Sequence, residues 1–158
     1  MTLRIDYHKI KDEIMFDFIF PSKNKKLVKK WIKEHREIAS LAGKVIEAYE
    51  KGDFKKAKKR LNKLDDITIE HLMQEDLSFY KLQQNPDKLK KETLKEIDEF
   101  INTFGGTKIA LMNFISKYAK DGVELDKEFI KTFKIIVEIV VDRISFEENN
   151  LYKVLAKE

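Results

Sequence analysis

The sequence predicts an all-α protein: an up-down-up-down antiparallel four-helix bundle preceded by an N-terminal helical arm. Three observations carry this. Apolar residues recur at spacings of three and four along almost all of the 158 residues, the period of helices with one buried stripe. Only five Gly and two Pro interrupt the chain, so long helices are expected. No segment of strand length alternates apolar with polar residues.

The arm is assigned to residues 1–22, with a short helix carrying Ile14, Met15, Phe18 and Ile19. Pro21 breaks it, and Ser22 is placed to cap the next helix. The bundle takes residues 23–158. Helix A is predicted over 23–51, with Val28, Trp31, His35, Ile38, Ala42, Val45 and Tyr49 inward. Gly52 ends it and Asp53 caps helix B. Helix B runs to about 84, with Phe54, Ala57, Leu61, Leu64, Thr68, His71, Glu75, Phe79 and Leu82 inward. Asn85, Pro86 and Asp87 make a turn with Pro placed to start a helix. Helix C runs to about 120, interrupted or weakened at Gly105 and Gly106. Helix D runs from about 125 to 156, with Phe129, Phe133, Val137, Val140, Ile144, Glu147, Leu151 and Val154 or Leu155 inward. Four such helices with short connections form a bundle. Gly52 and Gly122 close equivalent turns, which implies two pseudo-repeated helix hairpins.

Composition narrows the function. Hydrophobic residues make up 42% and charged residues 38%, the mix of one folded domain with a heavily charged surface. The absence of Cys excludes disulfides, thiolate metal ligands and cysteine nucleophiles, and makes a cytoplasmic protein the expectation. No apolar run approaches the length of a membrane span, so membrane insertion is not expected. The net charge of +4 comes from lysines at 23–30, 55–63 and 88–95, interleaved with acids and spread over several helices. That pattern fits a solvated surface and not a nucleic-acid footprint.

The repeat has a chemical side. Residues 71–81, His-Leu-Met-Gln-Glu-Asp-Leu-Ser-Phe-Tyr-Lys, return altered at 143–153 as Arg-Ile-Ser-Phe-Glu-Glu-Asn-Asn-Leu-Tyr-Lys. Glu75 falls on Glu147, Asp76 on Glu148, Tyr80 on Tyr152, and His71 on Arg143. His71 and Glu75 stand one turn apart on one helix face. His35 lies on the apolar stripe of helix A, and Glu147 continues that of helix D, where a one-position rotation would bring in Glu148 instead. Buried charges are costly unless paired or bound to a metal, so these four groups should meet one another or an ion. Two imidazoles and carboxylates inside a bundle match a metal site. A hydrogen-bonded polar core is the other reading.

On His35, the His71-x-x-x-Glu75 pair and the doubled stretch at 143–152, the chain resembles the hemerythrin-like, histidine–histidine–glutamate cation-binding family over residues 24–156. The resemblance implies a bundle of two helix hairpins holding non-haem iron, each half giving one His from its first helix and a His-x-x-x-Glu pair from its second. His35, His71 and Glu75 match the first half. The second half departs, with Arg143 where a His is expected and Gly105 or Gly106 at the helix C ligand position. The third histidine, His8, lies in the arm. A complete di-iron ligand set is therefore not expected.

Arg cannot coordinate a cation. The guanidinium of Arg143 is expected to take the second metal's place, pairing with Glu147 and reaching Glu75. His35, His71 and Glu75, with Glu147 as a fourth ligand, then either hold one iron or zinc ion or form a vestigial, structural cluster. The glycine pair marks either a close helix approach or a cavity left by the lost ligand, roofed by Phe104, Phe114 and Phe133. The expected function is a non-enzymatic regulatory or sensory module with a reduced or vestigial metal site, meeting a protein partner or a second copy through its arm. The alternative is a non-haem iron protein binding oxygen or nitric oxide at a single-metal site. Catalysis ranks last, since no nucleophile–base constellation is visible beyond these residues.

Overall fold

Helix-forming residues with stripe spacing give four long helices in the computed structural model, which describes residues 23–158. The predicted arm, with His8, Ile14, Met15, Phe18, Ile19, Pro21 and Ser22, lies outside the described residues. Helix α1 spans Lys23–Glu50, α2 Phe54–Gln83, α3 Lys91–Ala119 and α4 Lys127–Phe146. A 3-10 turn, Pro86–Lys88, links α2 to α3. Beyond α4 the chain passes through a π-helical segment, Glu147–Leu151, into a short last helix, α5, Tyr152–Leu155.

The turns follow the local chemistry. Gly52 and Gly122 adopt φ of 74° and 78°, the left-handed conformation that ends a helix at little cost only for glycine. Asp53 accepts a hydrogen bond from Lys56 N at 3.0 Å, and Asp126 one from Phe129 N at 2.7 Å, so each hairpin's second helix starts on an aspartate cap. Lys58 Nζ donates to the carbonyls of Tyr118, Lys120 and Val123 at the end of α3, where a cation suits the helix dipole.

Consecutive helices run antiparallel. The start of α1 meets the end of α2 through Trp31 and Phe79, whose ring centroids lie 6.0 Å apart. The end of α1 meets the start of α4 through Tyr49 Oη, which donates to Asp126 O at 2.9 Å. Two apolar clusters fill the interior. One gathers Ile38, Val45, Leu61, Leu64, Leu111, Ile115, Phe129 and Phe133. The other gathers Val28, Trp31, Phe79, Ile97, Phe100, Phe104, Leu151 and Tyr152. Between the two clusters, α1, α2, α4 and the π segment carry the buried polar residues His35, His71, Glu75, Arg143 and Glu147.

Three sequence expectations change. Helix α3 runs unbroken through Gly105 and Gly106. Phe54, expected inward, is half exposed as the first residue of α2 and rests edge-on against Tyr49. Helix D is not one regular α-helix, because Tyr152 N donates to Glu147 O in the five-residue step of a π turn. Among the described residues no helix is long and apolar enough to cross a membrane, and none of them forms a strand.

Candidate metal centre

Helix α1 carries His35 between Trp31 and Ile38, α2 carries His71 and Glu75 one turn apart, and the π segment carries Glu147. All four are buried, and one donor atom from each lies within 4.8 Å of the others. His35 Nε2 stands 3.1 Å from His71 Nε2 and 3.0 Å from Glu147 Oε2. His71 Nε2 stands 3.2 Å from Glu75 Oε2.

The other nitrogen of each ring fixes this orientation. His35 Nδ1 lies 2.9 Å from Glu148 Oε1, and His71 Nδ1 lies 2.7 Å from Glu34 Oε2. Each Nδ1–H donates to its carboxylate, which turns each Nε2 lone pair toward the centre. Arg36 clamps Glu148 with two bonds, Nη1 to Oε1 at 2.8 Å and Nη2 to Oε2 at 3.0 Å. Lys30 Nζ approaches Glu34 Oε1 at 3.5 Å.

With no ion, a proton mediates between these groups. Burial disfavours the charged imidazole of His35, but hydrogen bonds to Glu147 and Glu148 outweigh it and raise its pKa from 6.5 to about 9. Burial likewise pushes the Glu147 carboxyl up, yet the hydrogen bond to His35 and the charge of Arg143 bring it below its usual range. Glu148 is lowered in the same way by His35 and Arg36, against its burial.

Arg143 closes the opposite side. Its Nε donates to Glu147 Oε1 at 2.7 Å, its Nη2 to Glu75 Oε1 at 3.3 Å, and its guanidinium carbon lies 4.9 Å from the centroid of the Phe100 ring. Each buried carboxylate therefore presents Oε2 to the imidazoles and Oε1 to the guanidinium. Burial opposes the charge on Arg143, but Glu147 and Glu75 more than offset it and raise its pKa. Beside Arg143, a gap of about 70 Å³ opens between α3 and α4, lined by Thr107, Ala110, Leu111, Ile136, Ile139 and Val140. Gly105 and Gly106 are not part of it. Both are exposed, and a side chain at either would meet open space. Helix α3 turns this pair away from the interior, so no cavity under Phe104, Phe114 and Phe133 is built on it.

Four contributors stand beside the four sequence-derived ligands, one of them, Glu148, foreseen only as an alternative to Glu147. Glu34 and Arg36 flank His35 off the apolar stripe. The phase of helix D poses Glu147 and Glu148 as alternatives, but the π turn brings both to His35, one at each ring nitrogen. Tyr152 is the fourth. Its hydroxyl lies 3.0 Å from Glu75 Oε2, 3.3 Å from His35 Nε2 and 3.4 Å from Glu147 Oε2, with its ring stacked on His35 at 5.6 Å.

The donor set fits a single ion. Metal bonds to nitrogen and oxygen of about 2.0–2.2 Å put neighbouring ligand atoms roughly 3.0–3.5 Å apart. The contacts at 3.0, 3.1 and 3.2 Å fall in that range, while the wider separations in the set, up to 4.8 Å, require the side chains to draw in slightly around an ion. A second ion does not fit, because Arg143 already occupies the free oxygens of both carboxylates. A sequence-family model described as the hemerythrin HHE cation binding domain matches residues 26–155. No curated protein and no solved structure matches the chain.

Proposed function

The chain belongs to the hemerythrin HHE cation-binding family, and from that premise we propose that it holds one transition-metal ion, iron or zinc, with Arg143 serving as a built-in second cation. The observation that carries this is the inward pair of imidazole Nε2 atoms 3.1 Å apart, each backed at Nδ1 by a carboxylate. Two lone pairs face one another across a buried centre only when a cation or a proton stands between them. His35, His71, Glu75 and Glu147 are the proposed ligands. Glu34 and Glu148 hold the imidazoles in the ligating tautomer, and Arg36 fixes Glu148. Arg143 neutralises one of the two ligand carboxylates and excludes a further ion. The ion, when bound, supplies a Lewis-acidic centre with room for exchangeable ligands.

The role we infer is regulatory, not catalytic. Binding to the folded state alone stabilises a protein in proportion to the logarithm of ion concentration. A bundle whose core charge depends on occupancy is thereby a sensor of its ion, with residues 1–22 proposed as the contact to a protein partner.

Elemental analysis of protein purified without chelator tests the assignment, with His71→Ala prepared in parallel. The expected result is a near-stoichiometric ion in the natural chain and its loss in the variant. Equal metal content in both, or none in either, contradicts the assignment.

A further inference from the structure

The hydroxyl of Tyr152 sits among the donor atoms at the spacing that those atoms keep from one another. Its distances of 3.0, 3.3 and 3.4 Å to Glu75 Oε2, His35 Nε2 and Glu147 Oε2 fall within the roughly 3.0–3.5 Å that neighbouring ligand atoms keep around one ion, as do the 3.0–3.2 Å separations inside the His–Glu set. In the metal-free chain these contacts are hydrogen bonds, and the same spacing suits an oxygen on the shell of one ion. Tyr152 is buried, 2% exposed. Its ring is held between His35, stacked at 5.6 Å, and Trp31 at 5.4 Å.

Charge gives the same answer. Glu75 and Glu147 carry two negative charges and Arg143 one positive, so a divalent ion between neutral imidazoles leaves one uncompensated positive charge in the core. Such a charge is costly where no water screens it. The outer carboxylates do not serve, since Glu148 is engaged by Arg36 and Glu34 faces Lys30. A phenolate at Tyr152 brings the sum to zero for a divalent ion, and from two positive charges to one for a trivalent ion. A metal ion is able to displace a proton from a ligand that holds it tightly otherwise.

From these contacts we propose that Tyr152 is a fifth ligand, coordinating the ion through its phenolate oxygen. On binding, the O–H bond of Tyr152 breaks, its proton passes to solvent, and an oxygen–metal bond forms with no change in oxidation state. The inference rests on the single-ion reading and adds a ligand to it. It also assigns the π segment a purpose, because that wide turn is what carries Tyr152 inward. Tyr80, the matching residue of the first repeat, is 60% exposed on a regular helix.

The test uses metal-free full-length chain loaded with ferric iron, alongside Tyr152→Phe and Tyr80→Phe. Phe keeps the ring and its packing, so the Tyr152 variant should fold. Iron content is measured for all three. The expected result is a visible phenolate-to-iron(III) charge-transfer band, with resonance-enhanced tyrosine ring modes, in the natural chain and in Tyr80→Phe. Tyr152→Phe should retain its iron and lose the band. Bound iron with no such band, or a band that survives Tyr152→Phe, overturns the ligand assignment and leaves the single-ion reading standing. Absence of bound iron from the natural chain overturns both.

Discussion

In residues 71–81 the chain keeps a regular helix: His71, Glu75 and Phe79 face the core at four-residue steps, Asp76 reaches outward to Lys108, and Tyr80 stands in solvent. In residues 143–153 the same order of residues passes through a π turn. Arg143, Glu147 and Leu151 hold the buried steps, but Glu148 now reaches His35 and Tyr152 enters the core. One wide turn rotates the residues beyond it, so that adjacent side chains face inward together. The first copy has a histidine at its head and supplies a donor. The second has an arginine there and supplies a cation. Both segments bring a carboxylate to the centre, Glu75 and Glu147, and they differ at the head, where one adds an imidazole and the other a neutralising guanidinium. The difference turns on one residue at the head of the segment and one π-helical turn of backbone.

The contrast is most exposed to mutation at Arg143. Removing it strands Glu75 and Glu147, two carboxylates buried to 0% and 1% exposure. Arg143→Ala should lose roughly 3–5 kcal/mol of stability, read as a lowered urea midpoint at constant slope. An unchanged midpoint would mean that the pairs contribute nothing to the fold.

A smaller effect comes from pH, at the His35 ring that Glu147 and Glu148 of the second segment hold. The folded pKa of His35, about 9 against 6.5 unfolded, means that the folded metal-free protein binds the extra proton. Its stabilisation is complete below pH 6.5 and disappears as pH rises through about 9, a loss of ~3 kcal/mol. Glu147 and Glu148 act in the opposite sense, because their folded pKa values lie below the usual 4.5. Their contribution is present above that value and is lost as pH falls further. Thermal melts of metal-free protein should therefore peak between about pH 5 and 6.5 and decline on the alkaline side. Saturating zinc should flatten the alkaline decline, since the ion takes the proton's place. An alkaline limb that is unchanged by zinc would contradict a shared site.

The smallest expected change concerns the imidazole of the first segment. Glu34→Gln keeps a hydrogen bond to His71 Nδ1 but removes the charge that polarises the ring. Metal affinity should fall about 10- to 100-fold, measured by chelator competition, with the fold intact. An affinity equal to that of the natural chain would show that Glu34 does not tune the imidazole.

Much of this molecule is legible in its sequence, and the exceptions share a physical cause. Stripe spacing, the Gly52 and Gly122 stops and the Asp53 cap mark the helices because each is a local rule. His35, His71, Glu75 and Glu147 stand out because a polar residue on an apolar stripe is conspicuous. Glu34 and Arg36 do not, since a charged residue beside a stripe reads as surface until a neighbouring helix is placed against it. The π turn is hidden because apolar residues from 144 to 155 suit more than one helix phase. Tyr152 is hidden with it, since its counterpart Tyr80 is exposed. Gly105 and Gly106 suggest a vacancy from their position in the repeat, yet α3 presents them to solvent, and the gap lies instead between Thr107 and Arg143.

Anomalous diffraction from crystals of zinc- or iron-loaded protein would locate the ion against both segments at once. A single peak is expected between His35 Nε2 and His71 Nε2, with Arg143 still bridging Glu75 and Glu147. Two peaks, or one peak with the Arg143 guanidinium swung away from both carboxylates, would contradict a single-ion centre neutralised by arginine.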